Sequence, residues 1–316
     1  MMLIGAIKGA IKKNPAKMSK MFSSQNDEFY FAETIDDPKL KDVDIFIQTN
    51  LIKQKFYEKD RAQQYQYILD SKKPKLVMES PMFRSIEKGE KNQYYRLGWN
   101  SYQYHEADYN NLNSPSDRWN KLQKQYNINV KDWKTKGDYV LLLCQKEGDS
   151  SLNQLYETYE NYWDYIAEII KSIQKNTDRK IILRPHIRQI TTGVKRAGYT
   201  AKRFKNVSVS ENITFNMING GEGLQKDFDN AWCTITYNSL SSVESILEGI
   251  PTFSLDKGCM GYPVSNHDLQ NIENPNREID RTQWLYDCAY TQWTSKELHD
   301  GSAWEHLKPR YTAWKK

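Results

Sequence analysis

Three titratable side chains in the N-terminal half, Glu79, His105 and Asp108, stand where acid–base chemistry can be done. Glu79 directly follows the run 75–78, which reads as a strand. Ligands of open α/β sheets bind at strand ends. Glu79 is therefore the first choice for a general base that deprotonates an acceptor hydroxyl, with Asp108 and His105 behind it. A cap, or a surface salt bridge to Arg84, explains Glu79 equally well, and a lone histidine is more often structural than catalytic. A second set lies further on. Arg184-Pro185-His186 leaves the strand-like run 180–183. The arginine fork and the imidazole suit a diphosphate leaving group, and Pro185 would hold the two side chains apart. Ser241, Ser242 and Glu244 open a helix after the buried run 232–236. The free N–H groups and positive dipole end of such a helix suit an anion, most often a phosphate. An ordinary crossover with a serine-rich cap has the same look. Lys257, in the loop 256–263, is placed to approach a phosphate, and His267 follows on the same strand-end side as a further binding candidate.

Between the two sets runs an aromatic, polar region that includes Tyr94, Tyr95, Arg96, Trp99, Tyr102, Tyr104 and Tyr109. It is short of aliphatics and reads as an acceptor-facing loop or hairpin rather than a core strand. Tyr95, Arg96 and Trp99, with Arg84, are candidates to stack on bases or pack against sugar faces. Packing of these rings on their own domain is the competing reading.

The elements that must position these residues alternate. Strand-like runs at 29–32, 43–47 and 75–78, with a helix over 55–69, fill the N-terminal half. A helix at 116–126 and a polar stretch to 137 separate this from a second series. That series has strands at 139–144, 180–183, 207–209, 232–236 and 252–255, a long helix over 151–173, and aromatic terminal helices at 284–293 and 302–307. Strands and helices in this rhythm predict a doubly wound parallel sheet.

The 316 residues suffice for two domains. Aromatics reach 13%, with 21 Tyr and 9 Trp, against 38% hydrophobic residues overall, which excludes a disordered chain. A net charge of +5, from 45 basic and 40 acidic residues, permits an anionic partner without demanding one. The four cysteines are far apart and lack ligand spacing, so free thiols in a reducing cytoplasm are expected rather than disulfides or zinc. No run approaches a membrane span of about 20 apolar residues. The first 21 residues carry lysines but no long apolar core, and read as a solvated helix rather than a secretory signal. Gly220, Gly221 and Gly223 fit neither a dinucleotide nor an ATP fingerprint.

The run Ser241-Ser242-x-Glu244-x4-Gly249-Ile250-Pro251 resembles the donor-site motif of GT-B glycosyltransferases. In that family the helix start holds the nucleotide's phosphates, and a Glu five residues before the Gly of G-x-P binds the ribose hydroxyls. The resemblance puts Glu244 in that place. Similar segments occur in bacterial capsule-polysaccharide (Kdo-transferase-like) enzymes. Residues 79–85, ESPMFRS, are similar to the E-D-G-F-x-R-S stretch of those enzymes, with Ser80 and Pro81 in place of Asp-Gly. R-P-H after a strand is shared with capsule and teichoic-acid-type transferases, and the tail from AYTQWT to GSAWEHL also resembles capsule-type proteins. The resemblance covers much of 134–316 and scattered points before it.

It implies an α/β, GT-B-like fold: two Rossmann-like domains facing a cleft, with C-terminal helices crossing back. An acceptor-side domain would occupy 1–133, and a nucleotide-sugar-binding domain 134–316. The implied activity is an inverting, metal-independent glycosyl transfer, with no cofactor and the nucleotide sugar as substrate. We find no convincing D-x-D metal motif. Two acceptors remain open. The capsule resemblance suggests a surface glycan or its lipid-linked precursor. The compact Lys-, Asn- and Tyr-rich composition suggests a bacteriophage protein in the host cytoplasm that glycosylates flipped hydroxymethylated bases of DNA, and this reading is narrowly favoured. A non-catalytic nucleotide- or nucleic-acid-binding protein is the third reading. The presence of Glu244 and of the Arg184/His186 pair argues against it.

Overall fold

The computed structural model describes residues 1–11, 15–49, 59–83, 94–213 and 220–314. In chain order the elements are β1 (Leu3–Ile7), α1 (Pro15–Ser23), β2 (Glu28–Ala32), β3 (Ile45–Thr49), α2 (Lys59–Asp70), β4 (Lys75–Glu79), β5 (Tyr94–Trp99) and α3 (Asp117–Tyr126). There follow β6 (Tyr139–Leu143), α4 (Tyr162–Gln174), β7 (Lys180–Arg184), α5 (Thr192–Ala201), β8 (Val207–Val209), α6 (Gly220–Asp229), β9 (Ala231–Thr236), α7 (Ser241–Leu247) and β10 (Thr252–Ser254). The chain closes with α8 (Thr282–Ala289), β11 (Gln292–Thr294), α9 (Ser295–His299) and α10 (Ser302–Trp314).

Two compact units result: Met1–Lys121 with Leu285–Lys316, and Leu122–Trp284. The expected division is at 133/134; the compact units divide at 121/122, and the C-terminal segment from Leu285 belongs to the first unit. The sheet of the first unit has the order β11-β5-β4-β3-β1-β2. Its β2, β1, β3 and β4 run parallel, and β5 and β11 add antiparallel strands. Apolar clusters cover both faces. On one, Ile4, Ile45, Leu97 and Trp99 meet Phe22, Leu298, Trp304 and Leu307. On the other, Ile7, Val43 and Phe46 meet Tyr65 and Ile68.

The second unit holds an all-parallel sheet, β10-β9-β6-β7-β8. Helices α4 and α5 pack on one face through Tyr162, Ile166, Ile170 and Ala197. Leu224 and Phe228 of α6 pack on the other. Burial on both faces explains why β6 (YVLLL) and β9 (AWCTIT) are continuous apolar or β-branched runs instead of alternating ones. Counted from β6, the order is 3-2-1-4-5, the doubly wound arrangement, with its switch point between β6 and β9.

Several expectations are corrected. Of the solvated helix expected over the first 21 residues, α1 begins at Pro15 and buries Met18 and Met21, while Leu3–Ile7 is β1, between β2 and β3 in the sheet. Residues 94–99 are a buried strand, not an exposed loop, because tyrosine and tryptophan supply the apolar surface that aliphatics supply elsewhere. The helix expected over 151–173 begins only at Tyr162, where the Asn161 side chain accepts from the Trp163 and Asp164 amides. Such a cap stabilises a helix start by about 1 kcal/mol. The segment read as a helix over 284–293 breaks after Ala289 and becomes β11, which pairs with β5. Gly249 of the G-x-P run ends α7 at φ +71°, with the Asp132 carbonyl oxygen 2.0 Å from where a Cβ would stand. A side chain is excluded there on both counts.

Candidate functional site

In the second unit the carboxyl ends of the parallel strands gather the C-terminal set along one sheet edge. At the switch point Gln145 follows β6 and Asn238 follows β9. Gln145 Nε2 donates to Asn238 Oδ1 at 2.7 Å, and the Asn238 amide donates to Gln145 Oε1 at 3.0 Å. Asn238 Nδ2 also donates to the Ser151 carbonyl at 2.9 Å and to Asp256 Oδ1 at 3.1 Å. This network ties together the loops after β6, β9 and β10. Gln145 and Asn238 are not among the residues singled out from the sequence; their position two residues beyond buried strands was the available signal.

Of the expected donor-binding residues, Arg184 has a different task. It is 6% exposed and forms a buried ion pair with Asp227, whose carboxylate also accepts from Ser210 Oγ at 2.6 Å and Asn212 Nδ2 at 2.7 Å. A guanidinium so engaged is a structural tie between β7 and α6 and not a phosphate ligand, which corrects the expectation. Ser242 is likewise turned inward: it is fully buried, donates to the Ser239 carbonyl at 2.7 Å and lies 3.1 Å from Cys259 Sγ. Ser241 and Glu244 are half-buried. The Ser241 amide donates to Ser239 Oγ at 3.2 Å, so Ser239 supplies a local hydroxyl bond at this turn.

His186 is half-buried beyond β7. Its Nδ1 accepts from the Arg188 amide at 3.1 Å, which sets the tautomer with the proton on Nε2. Lys257 and His267 are exposed, and the His267 ring stacks on Tyr262 with centroids 3.8 Å apart. The four cysteines are buried as free thiols.

In the first unit the register brings two expected residues together. Glu79, last in β4, pairs with Arg96 of β5, and Arg96 pairs with Gln292 of β11. Paired residues of neighbouring strands share a face. Glu79 is half-buried and its Oε1 accepts from the Ser80 amide at 2.8 Å. Arg96 is 2% exposed, too buried for the surface stacking expected of it.

Trp99 is corrected outright. It is fully buried, packs against Trp304 and Tyr311, and donates its indole N–H to the Leu307 carbonyl at 3.0 Å. Tyr95 packs against the same apolar cluster, on the face opposite Arg96. Asp108 is not left for catalysis: its Oδ2 accepts from Arg310 and its Oδ1 from the Asn110 amide. His105 is exposed, with Nε2 3.9 Å from Glu106 Oε1. Arg84 lies outside the described residues.

Among the described residues no group of His, Cys, Asp or Glu is placed to hold a metal ion, and no helix is long and apolar enough to cross a membrane.

Comparison with protein-family models and with curated proteins returns no match. Among solved structures, the chain is similar to Thermosulfurimonas dismutans KpsC, beta Kdo 2,4 transferase. The two share 15% identity with a TM-score of 0.54, over 94% of this chain and 98% of that chain. It is also similar to the beta Kdo 2,7 transferase of KpsC from the same organism, at 12% identity and a TM-score of 0.50, over 96% and 98% of the two chains. At such identities the likeness is one of fold: a mixed α/β, GT-B-like chain with Rossmann-type units.

Proposed function

We propose that the chain is a glycosyltransferase that takes a nucleotide-sugar donor on its second unit and a saccharide hydroxyl as acceptor, in the manner of a surface-polysaccharide enzyme. A fold alone does not carry a function. The observation that carries this one is the strand edge of the second sheet, where Ser241, Glu244, Lys257, His267 and His186 follow the carboxyl ends of parallel strands around the switch point. Glu244 is assigned to the ribose hydroxyls. His186 and Lys257 are assigned to the departing phosphate, where electrostatic stabilisation of developing charge contributes most. Glu79 is the general base. A metal-independent, inverting transfer follows from that assignment.

The hydroxymethylated-DNA acceptor is the weaker reading, since it leaned on Trp99, which is fully buried in the core, and on Tyr95, which is partly buried against the same cluster. The non-catalytic alternative is now opposed by Glu244 and His186 alone, because Arg184 is engaged with Asp227. The test is a panel of UDP-, GDP-, CMP- and CDP-sugars incubated with oligosaccharide acceptors, and separately with hydroxymethylated DNA, read by mass spectrometry. Transfer to a saccharide is expected, with loss of turnover in Glu79→Gln and of donor affinity in Glu244→Ala. Modified nucleosides would replace the acceptor assignment. Donor binding with neither hydrolysis nor transfer would sink the enzyme reading.

A further inference from the structure

We propose that the outer face of α5, with the turns that flank it, is a binding surface for single-stranded nucleic acid. Between Asp178 and Glu211 the chain carries nine Lys or Arg and no Asp or Glu. Three of the nine are engaged: Arg184 with Asp227, Arg179 with Glu273 at 3.2 Å, and Arg196 with Glu147 at 3.5 Å. The other six, Lys180, Arg188, Lys195, Lys202, Arg203 and Lys205, are exposed, and among the described residues none has an ion-pair partner. Glu168 of α4, close enough to Arg203 to feel its charge, is already paired with Lys171 at 2.7 Å.

The helix sorts its residues by side. Gly193, Ala197, Thr200 and Ala201 are buried. At about 100° per residue, Lys195, Arg196, Tyr199, Lys202 and Arg203 fall on the opposite face, within an arc of roughly 120°. Tyr199 stands at the centre of that arc. It is 60% exposed, one of four large hydrophobic side chains left in solvent among the described residues, with the Lys195 ammonium 5.9 Å from its ring centroid. Cations at a helix C-terminus answer the dipole, which accounts for Lys202 and Arg203. The same dipole disfavours Lys195, in the first turn, and gives no reason for a solvated ring among like charges.

A polyanion that meets several such cations releases its own counterions, which drives association. A ring set among cations narrows the choice to a flexible strand, whose phosphates follow the charges while a base stacks on the ring. A duplex offers that ring no unstacked base. A bilayer calls on different chemistry, because a helix lying in a membrane surface sinks an apolar face into the headgroups. The apolar face of α5 is already packed on the core of its own unit. This surface goes beyond the transfer proposed above and needs neither donor nor acceptor.

The test is fluorescence anisotropy of labelled oligo-dT and oligo-U, each about 15 nucleotides long, on the full chain over a series of salt concentrations. Contacts to between about four and six phosphates give a slope of log affinity against log salt of about −3 to −4. Lys195→Gln, Lys202→Gln and Arg203→Gln combined should flatten that slope by about 2. Tyr199→Ala should weaken binding about five- to 150-fold, and Tyr199→Leu to a similar extent. Lys296→Gln, at an exposed lysine of α9, should change neither quantity. The replaced side chains are exposed, so every variant should melt with wild type. Binding of either oligonucleotide with these losses supports the proposal, and the tighter of the two identifies DNA or RNA. No binding to either overturns it, as does binding that survives the triple replacement or ignores Tyr199. Sedimentation with vesicles of phosphatidylcholine and phosphatidylglycerol is the competing arm. Capture that depends on the same three cations, with Tyr199→Leu equal to wild type and no oligonucleotide bound, would give the face to a bilayer instead.

Discussion

Replacing Arg184 by alanine separates a structural arginine from a phosphate-binding one. The Arg184 and Asp227 side chains are 6% and 3% exposed, so the truncation leaves a carboxylate buried without its counter-charge. Breaking such a pair costs about 3–5 kcal/mol. Asp227 keeps its bonds from Ser210 and Asn212, at 2.6 and 2.7 Å, which puts the cost at the lower end. At about 2–4 °C per kcal/mol for a domain of this class, a loss of about 3 kcal/mol lowers the melting temperature by roughly 6–12 °C. Arg184→Met combined with Asp227→Leu removes both charges and should recover most of that loss, because a buried pair exchanged for apolar side chains is often neutral. Calorimetric unfolding of wild type and these two variants measures the loss and its recovery, and donor titration of the folded Arg184→Ala protein measures binding. A wild-type melting temperature together with lost donor affinity would refute the structural assignment and return Arg184 to the phosphate site.

Two further outcomes follow from the first unit. Trp99→Ala should cost about 3–5 kcal/mol by urea unfolding, since it vacates a fully buried site and leaves the Leu307 carbonyl without its indole donor. A change in activity at unchanged stability would contradict its place in the core. His306 gives a pH signature: burial holds its imidazole below the usual 6.5, against the opposing bond to the Tyr109 carbonyl. The unfolded chain then binds that proton more readily than the folded one. The contribution to stability is complete above pH 6.5 and is lost as pH falls from there toward the lowered folded value. His306→Asn should flatten the stability profile over that window.

The second unit was largely legible because its strands are buried on both faces, and continuous apolar runs bounded by caps and glycines announce themselves. β7, β8 and β9 were found within a residue or two of their observed bounds. The first unit hid three of its strands, β11 among them inside the run read as a terminal helix. β1 carries LIGAI directly after Met1 and Met2, and the lysines that follow it suggested a solvated helix. β5 alternates rings with Arg96 and Gly98, a pattern that reads as a binding loop until the partners of each ring are known. The site was legible as a set of strand ends and illegible as a set of contacts. Nothing in R-P-H reveals that Asp227, far along the chain, has claimed the arginine. Nor does any spacing tie Asp108 to Arg310 or Arg96 to Gln292. Such pairings are long-range, and single-sequence patterns report only neighbours.

β11 and α10 bear on how the protein is made. The edge strand of the first sheet pairs with β5, and Gln292 bonds the amides of Met82 and Phe83, about 210 residues upstream. Trp304 likewise reaches back to Asp27 at 2.8 Å. A ribosome releases these parts after the entire second unit, Leu122–Trp284, has emerged. The earliest-synthesised unit is therefore the last to be completed. Until then β5 presents an open antiparallel edge, the kind that recruits other chains, and the segment 1–121 depends on its own tail to close it. Proteolysis of nascent chains stalled before and after residue 294 would show this as late-acquired protection of the first unit. Protection already present in the shorter chain would mean that the unit matures without its last strand.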